Sequence, residues 1–200
     1  MTLERTDPIP RMRAEDRREL VITAALEVFG ERGYVGATTD AVARAAGVSQ
    51  PYVVRMFGTK EALFLAVLQR ALDALLTAFT TAIDDARSGN DDVHHCIGAA
   101  YGELLSNRGL LLSLMHGFVL GSDPAIGPAA RAGFLQVYRL LREEAGFTAE
   151  EASDFLAHGM LLNTLVGIRM GAEIDDPAAR ELVETVAPTK SELIVRLALR

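Results

Sequence analysis

The chain has little of what several protein classes require. Its 200 residues include no tryptophan and a single cysteine, Cys96, so an internal disulfide is excluded and a reducing compartment is favoured. No apolar run reaches the roughly 18–20 residues of a membrane span, and the longest, residues 109–121, is interrupted by His116. The N-terminus lacks the basic stretch, apolar core and cleavage site of a secretory leader. We therefore expect a cytoplasmic protein that makes no contact with a membrane.

The sequence motifs of common enzymes and metal sites are also missing. There is no GxSxG, no HExxH and no glycine-rich phosphate loop after a strand. The adjacent His94, His95 and Cys96 do not indicate a metal site, because neighbouring residues of a helix point about 100° apart and cannot easily converge on one ion. We expect no metal, no cofactor and no enzymatic activity, although His116, Asp154 and His158 leave an all-helical enzyme as an alternative.

Positive charge is scarce overall but is unevenly distributed. The net charge is −7, which by itself disfavours a nucleic-acid partner. Residues 1–60 nevertheless hold nine basic and eight acidic residues, whereas residues 61–200 hold eleven basic and nineteen acidic ones. The first sixty residues are therefore the segment in which a DNA-facing surface is plausible.

Hydrophobic periodicity predicts an all-α chain with no strands. Residues 1–13 carry Pro8 and Pro10 and are interpreted as a flexible arm. A helix should begin at Ala14 and end at Gly33, and Thr39 is expected to cap a second, short helix. A third should follow Ser49 and end at Gly58, and a long fourth helix, capped by Thr59, should run to about Arg87. The remaining predicted helices span about 92–106, 109–121, 124–145, 149–171 and 178–187, with a last one after Pro188 that opens on a Thr189–Glu192 capping box.

Residues 39–58 have the residue pattern of a helix-turn-helix. Two short helices that cross steeply need a small residue where they touch, and Ala43 supplies it. Gly47 suits the left-handed backbone of the turn, and Val53 packs between the helices together with Val42, Ala46 and Val48. In such a motif the N-terminal residues of the second helix lie nearest the base edges of the major groove.

The stretch from Arg17 to Leu68 resembles the N-terminal domain of the TetR family of regulators. The matching features are the first helix ending in Phe29 and Gly33, the run Ala45-Ala46-Gly47-Val48-Ser49, and the later residues Phe57, Lys60, Glu61, Leu63 and Phe64. The resemblance implies a three-helix DNA-binding domain at 14–60, joined by a long helix to a helical ligand-binding and dimerisation domain at 61–200.

The resemblance also assigns DNA contacts. It implies phosphate contacts from Thr39 and Lys60 and base or near-base contacts from Gln50, Pro51 and Tyr52, with Arg55 near the backbone or a base. The chain departs from the family at Val54, where many relatives carry an aromatic residue that reaches a phosphate, and Tyr52 is the candidate replacement. Structural alternatives are that Thr39 is only a cap, that Tyr52 packs inside the domain, and that Arg55 and Lys60 are solvated charges.

For the C-terminal domain, the resemblance implies a small-molecule pocket and a homodimer interface. We expect the pocket among the helices at 92–171, lined by apolar residues with His116 and Asn163 as the polar groups, unless these residues are plain core. The expected lining is Leu112, Met115, His116, Phe118, Val119, Phe134, Tyr138, Met160 and Asn163. The interface is expected on the helix at 149–171 and one of the last two, with close approach at Gly159, Gly167 and Gly171 and apolar contacts from Leu161, Leu162, Leu165 and Ile168.

The sequence thus predicts a DNA-binding transcriptional regulator. In its most specific form it is a homodimeric repressor that a small hydrophobic or aromatic ligand releases from a palindromic operator. The alternatives are an all-helical enzyme and a DNA-packing protein that senses no ligand.

Overall fold

Helices form all the regular structure in residues 13–199, the part of the chain that this computed structural model describes. The predicted all-α fold is therefore confirmed, while the arm predicted at residues 1–13 lies outside the described range except for Arg13. The helices are α1 (Ala14–Gly36), α2 (Thr39–Ala45), α3 (Gln50–Phe57), α4 (Lys60–Gly89), α5 (Val93–Leu104), α6 (Arg108–Val119), α7 (Ile126–Arg139), α8 (Ala149–Gly167), α9 (Pro177–Val186) and α10 (Ser191–Ala198). A π-helical turn (Leu140–Glu144) extends α7, and a 3-10 turn (Met170–Glu173) precedes α9.

The first three helices form a small head, whose buried residues belong to a hydrophobic core that continues into the rest of the described chain. Val21, Phe29, Val42 and Val53 are fully buried, and the Phe29 ring packs against Phe64 at the start of α4, with 4.8 Å between ring centroids. We refer to residues 14–60 as the head and to the helices from α5 onward as the body. Because α4 packs against helices of the head and of the body, it ties the two parts together.

Two details at the start of the head differ from the sequence prediction. The backbone does turn at Gly33, where φ is +66°, but it resumes helical geometry up to Gly36. The cap of α2 is Thr38 rather than Thr39, since the Thr38 hydroxyl accepts a hydrogen bond from the Ala41 amide at 3.1 Å. Both threonines fit the preference for a hydroxyl at the cap, and only the backbone conformation decides between them.

The long helix α4 spans 30 residues and is largely apolar. It is capped by Thr59, whose hydroxyl accepts from the Ala62 amide, and it ends where Asn90 adopts a left-handed conformation with φ of 58°. By length and composition alone it could cross a membrane, with a mean hydropathy of 1.6 over 18 residues, although Gln69, Arg70 and Asp73 interrupt its apolar sequence and 44% of that window is buried inside the fold. Its apolar side packs into the core, where Leu63, Val67 and Phe79 are buried.

The head also touches the body directly, because α1 lies against α6 at a pair of glycines. A Cβ atom on Gly30 would lie 2.7 Å from the Gly109 Cα, and one on Gly109 would lie 2.9 Å from the Leu26 carbonyl oxygen. Beside this contact the buried Ser113 hydroxyl donates to the same Leu26 oxygen at 3.3 Å. Neither glycine can gain a side chain unless the two helix backbones move apart.

Near the C-terminus the structure corrects two further predictions. The Thr189–Glu192 capping box is absent, since α10 begins after Lys190 without a side-chain cap; the box occurs instead at Thr148 and Glu151. Several residues predicted for a dimer interface are used within the chain. Gly159 packs on Tyr101 and Gly171 on the backbone of α10, while Leu162 and Leu165 are buried in the core.

Candidate nucleic-acid interface and adjoining cavity

The α2–α3 pair has the geometry of a helix-turn-helix. Ala43 is 2% exposed and Val53 is fully buried, so both lie at the contact between the two helices. Gly47 turns the chain with φ of +65°, and the Val48 amide donates to the Ala43 carbonyl at 3.0 Å. A non-glycine residue rarely adopts that φ, which gives Gly47 a physical role in the turn.

The N-terminal ends of α2 and α3 meet on the outer side of the head. The Gln50 side-chain amide donates to the Thr39 hydroxyl at 3.3 Å, which places these two predicted contact residues side by side. Pro51 is exposed next to them, and no acidic residue occurs in the first turn of α3. Helix N-termini carry partial positive charge, so the start of α3 favours an anionic partner such as a phosphate, whereas the first turn of α2 carries Asp40, which is paired with Arg44.

Tyr52 and Arg55 form a second unit on α3. The Arg55 guanidinium lies 5.1 Å from the centroid of the Tyr52 ring, within the range of a cation–π contact. Arg55 is exposed and Tyr52 is half-buried, so the ring is neither free in solvent nor enclosed in the core of the head. The arrangement presents a planar cation and a phenol on one face of the helix.

Lys60, the first residue of α4, faces the head. Its ammonium group donates to the carbonyl oxygens of Tyr34 at 2.9 Å and Ala37 at 3.3 Å and lies over the Tyr34 ring. An ammonium group has three N–H donors, so two hold the segment between α1 and α2 and one is left for another acceptor. The alternative that Lys60 is merely a solvated charge is therefore wrong.

A cavity of about 90 Å³ lies in the body, enclosed by α4, α5, α6, α7 and α8. A single water needs roughly 10–15 Å³, so the space is several times larger than that minimum. Its wall is apolar apart from Gln69, Tyr101 and Asn163, and among the described residues no charged side chain lines it. The exposed Gln69 and Ala129 mark the side nearest solvent, while Tyr101 and Asn163 are buried.

Four of the nine residues expected to line a pocket do line this cavity, and five do not. Phe118, Phe134, Met160 and Asn163 belong to the wall. Leu112 packs beside Gly167, the His116 ring lies against Gly33 of the head, and Val119 is 80% exposed to solvent. Met115 and Tyr138 are half-buried outside the wall. The five residues lie on the expected helices but on other faces of them.

The residue that sequence reasoning missed is Tyr101 of α5. Its hydroxyl is buried and lies 2.8 Å from Asn163 Oδ1 and 3.1 Å from the Gly159 carbonyl oxygen. Burial raises the pKa of Tyr101 well above its ordinary value, and the Asn163 hydrogen bond offsets only part of that shift. The available signal was the spacing of Ile97 and Tyr101, four residues apart on one helix face, which is the spacing of core residues.

Comparison with known proteins gives concordant results along the chain. Residues 21–67 match the family model described as bacterial regulatory proteins, tetR family. The transcriptional activator FasR of Mycolicibacterium smegmatis is 28% identical over 174 residues, which cover 86% of this chain and 79% of that protein. TtgW of Pseudomonas putida, named as an uncharacterised HTH-type transcriptional regulator, is 35% identical over 104 residues, covering 48% of this chain and 78% of that protein.

Solved structures agree on the fold. The multidrug binding protein EbrR complexed with ethidium superposes with a TM-score of 0.55 at 22% identity, over 92% of this chain and 99% of that one. The matched helix-turn-helix, the two related regulators and the shared helical architecture point the same way. The chain belongs to the TetR family, and it is a DNA-binding transcriptional regulator rather than an enzyme.

Proposed function

We propose that the chain is a homodimeric repressor that a small hydrophobic or aromatic molecule releases from a palindromic DNA operator. In this proposal residues 14–60 read the DNA, and residues 61–200 hold the ligand and form the dimer. The observation that carries it is the position of α6, which lines the cavity on one side and touches the head on the other. A ligand in the cavity therefore lies one helix away from the DNA-binding head.

The two faces of α6 can be read from its residues. Leu111, Leu114 and Phe118 line the cavity, whereas Gly109 and Ser113 contact α1 of the head. Helix α4 provides a second connection, since it begins at Lys60 in the head and lines the cavity further along. A ligand can change DNA affinity only if it binds one arrangement of head and body better than another.

The relatives support a ligand-binding body. EbrR, a multidrug binding protein of the same fold, has been solved with ethidium and with malachite green. In this chain, the cavity between α4 and α8 is largely apolar and is lined by five aromatic residues, which suits a flat hydrophobic molecule. The lining residues in this proposal are those of the cavity wall, with Phe118, Phe134, Met160 and Asn163 retained from the sequence prediction.

The DNA contacts in this proposal follow the geometry of the head. Thr39 and Gln50 share a hydrogen bond at the corner where α2 and α3 begin, and Pro51 lies beside them. Tyr52 and Arg55 present a stacked pair on α3, and Lys60 retains one N–H donor for a phosphate. The proposed contact residues are Thr39, Gln50, Pro51, Tyr52, Arg55 and Lys60.

A homodimer is supported by apolar residues left uncovered on two adjacent helices. Leu161 of α8 and Ile168, which caps the C-terminal end of α8, are 40% and 61% exposed, and Leu182 of α9 is 37% exposed. Apolar surface left open in this way often marks an interaction site. A two-fold dimer would also supply two recognition helices for the two half-sites of a palindrome.

The direct test is binding to the DNA upstream of the protein's own coding region, measured by fluorescence anisotropy with unrelated DNA as competitor. We expect competitor-resistant binding to a palindrome, weakened in Tyr52→Ala by roughly ten-fold, the lower part of the range for a base contact. Equal affinity for unrelated DNA would contradict sequence-specific binding by this head at that site.

An activator is the second candidate, because FasR, a relative matched over 86% of this chain, is named a transcriptional activator. A reporter gene placed behind the same DNA separates the two. Repression predicts lower expression when the protein is present, and activation predicts higher expression.

A further inference from the structure

We infer that the cavity selects a neutral molecule carrying a hydrogen-bond acceptor, such as a ketone, ester or ether oxygen, which accepts from the side-chain amide nitrogen of Asn163. This inference rests on the proposed function, since it assumes that the cavity is where the ligand binds. It adds the chemical class of the ligand and the residue that recognises it.

The first step concerns the polar atoms inside the cavity. The Tyr101 hydroxyl donates to Asn163 Oδ1 at 2.8 Å. The Gly159 carbonyl oxygen, 3.1 Å from the same hydroxyl, is a second acceptor for that proton. The Asn163 Nδ2 atom has no protein hydrogen bond within the described residues. It retains some accessible surface, so it borders empty space. Since Asn163 is only 5% exposed and lines the cavity, that space is the cavity itself.

An amide N–H that borders an apolar cavity is an unsatisfied hydrogen-bond donor. Leaving a buried donor unpaired costs on the order of 1–3 kcal/mol, because its water hydrogen bonds are not replaced. The Tyr101 hydroxyl cannot accept from this N–H, because it lies beside Oδ1 instead. A ligand oxygen can do so, and the rest of the wall at this end, Phe79 and Phe155, offers only apolar contact.

The second step concerns charge. No carboxylate, guanidinium, ammonium or imidazole group lines the cavity within residues 13–199. A charged ligand would lose its hydration there and gain no counter-charge, which is costly in an apolar interior. An anion would in addition need several donors, whereas Asn163 offers one site.

Aromatic rings can bind a cation through their faces, so their orientation matters. Here the rings meet edge to face: Phe118 and Phe134 at 84°, Phe79 and Phe155 at 74°, and Tyr101 and Phe155 at 66°. In such pairs the edge of one ring occupies the face of the other. The rings therefore do not form an open cage of faces around one point, and a neutral aromatic or aliphatic skeleton suits the wall better than a cation.

Three probes with one skeleton test the inference by titration calorimetry on the full chain at pH 7. They are 2-acetylnaphthalene, which has an acceptor, 2-ethylnaphthalene, which has none, and 1-(2-naphthyl)ethylamine, which is a cation. We expect the ketone to bind about 3–10-fold more tightly than the hydrocarbon, as one net hydrogen bond allows, and the cation to bind most weakly.

Variants of the chain locate the effect. Asn163→Leu should remove the advantage of the ketone while still binding the hydrocarbon, and Asn163→Asp should improve binding of the cation. Tyr101→Phe is the matched control, because it alters the same buried pair but keeps the amide donor, so the preference for the ketone should persist. Circular dichroism checks that each variant is folded.

The outcomes separate the two proposals. If none of the three probes binds the folded wild-type chain, the cavity is not the ligand site and the proposed function fails. If probes bind but the ketone has no advantage, or keeps it in Asn163→Leu, or the cation binds best, the cavity binds ligands and only the inference about their chemistry is overturned.

Discussion

Lys60 illustrates how a residue predicted to contact DNA also supports the head from within. Its ammonium group bridges the carbonyl oxygens of Tyr34 and Ala37, at the point where α1 ends and α2 is about to begin. Arg55, in contrast, is exposed, lies over the Tyr52 ring, and has no hydrogen bond or ion pair from its side chain within the described residues. The two cations should therefore respond differently to removal of their charge.

Lys60→Met should lower the free energy of unfolding by about 1–2 kcal/mol, since two hydrogen bonds from a charged donor are lost from a half-buried position. Arg55→Met is the matched control and should leave stability within about 0.5 kcal/mol, as for other surface substitutions. Urea denaturation followed by circular dichroism measures both. Equal stability of the two variants would mean that the Lys60 hydrogen bonds contribute nothing to the fold.

Tyr101 supplies a prediction about pH. Its pKa is raised by burial, so the folded state favours the neutral phenol and holds its proton at pH values where an unfolded tyrosine, with a pKa near 10, has lost it. The stability that this phenol contributes is present below about pH 10 and is lost as the pH rises toward the folded-state pKa.

Tyr101→Phe should therefore be less stable than the wild type at pH 7, by about 1 kcal/mol for the lost hydrogen bonds. The difference in free energy of unfolding between the two proteins should shrink as the pH is raised above about 10. Only the wild type has a phenol that must stay protonated in the folded state while the unfolded chain loses that proton. Denaturant unfolding at a series of pH values measures it. A gap that is independent of pH up to 11 would contradict the buried, neutral phenol.

At the scale of helices, the contact between α1 and α6 leaves no room for a side chain on either of its two glycines. Gly30 and Gly109 bring the two backbones so close that a single methyl group on either would meet main-chain atoms, which cannot rotate away as a side chain can. Because α1 belongs to the head and α6 to the cavity wall, this contact should transmit small displacements between them.

Gly109→Ala should destabilise the chain by about 1–3 kcal/mol, the usual range for overpacking. The matched control is Gly98→Ala in α5, where a Cβ atom would meet nothing within 4 Å. There alanine should be neutral or stabilise by up to about 1 kcal/mol, because glycine is a poor helix former. Thermal melting of both variants provides the measurement, and a Gly109→Ala variant as stable as Gly98→Ala would show that the two helices are free to separate.

The helix pattern also shows how far the sequence could predict the structure. Helix bounds and the Gly47 turn depend on periodicity and on local φ preference, and they were predicted within a few residues. The choice between Thr38 and Thr39 as the cap, and between Thr189 and Thr148 as the site of the capping box, depends on backbone geometry that the same residue types allow in several places.

The candidate sites divide in the same way. Gln50, Tyr52 and Arg55 could be placed on the outer face of α3 because a helix-turn-helix fixes that face locally. The cavity could not be predicted in detail, because Tyr101 reaches Asn163 across 62 positions of sequence and Gly30 reaches Gly109 across 79. Rotation of each helix about its axis decides which residues line the cavity, and the local patterns of a single sequence do not specify that rotation.

At the scale of the whole molecule, DNA recognition depends on the number of heads. One head offers one recognition helix, α3, whereas successive half-sites in the major groove lie about 34–36 Å apart. A second head at a fixed distance converts the second contact into an intramolecular event and so raises affinity without any new contact. If the uncovered residues of α8 and α9 form the dimer, breaking that surface should reduce DNA affinity although it lies far from α3 in sequence.

The double variant Leu161→Glu, Ile168→Glu should therefore be a monomer by analytical ultracentrifugation at micromolar concentration and should bind a palindromic operator at least ten-fold more weakly. Two charges per protomer would face their own copies across the two-fold axis, where like charges are costly. The matched control is Val119→Glu, which introduces a charge at an 80% exposed apolar residue on α6, outside the proposed interface. A double variant that remains dimeric would place the interface on another surface, whereas a monomeric variant with undiminished operator affinity would show that one head suffices for binding.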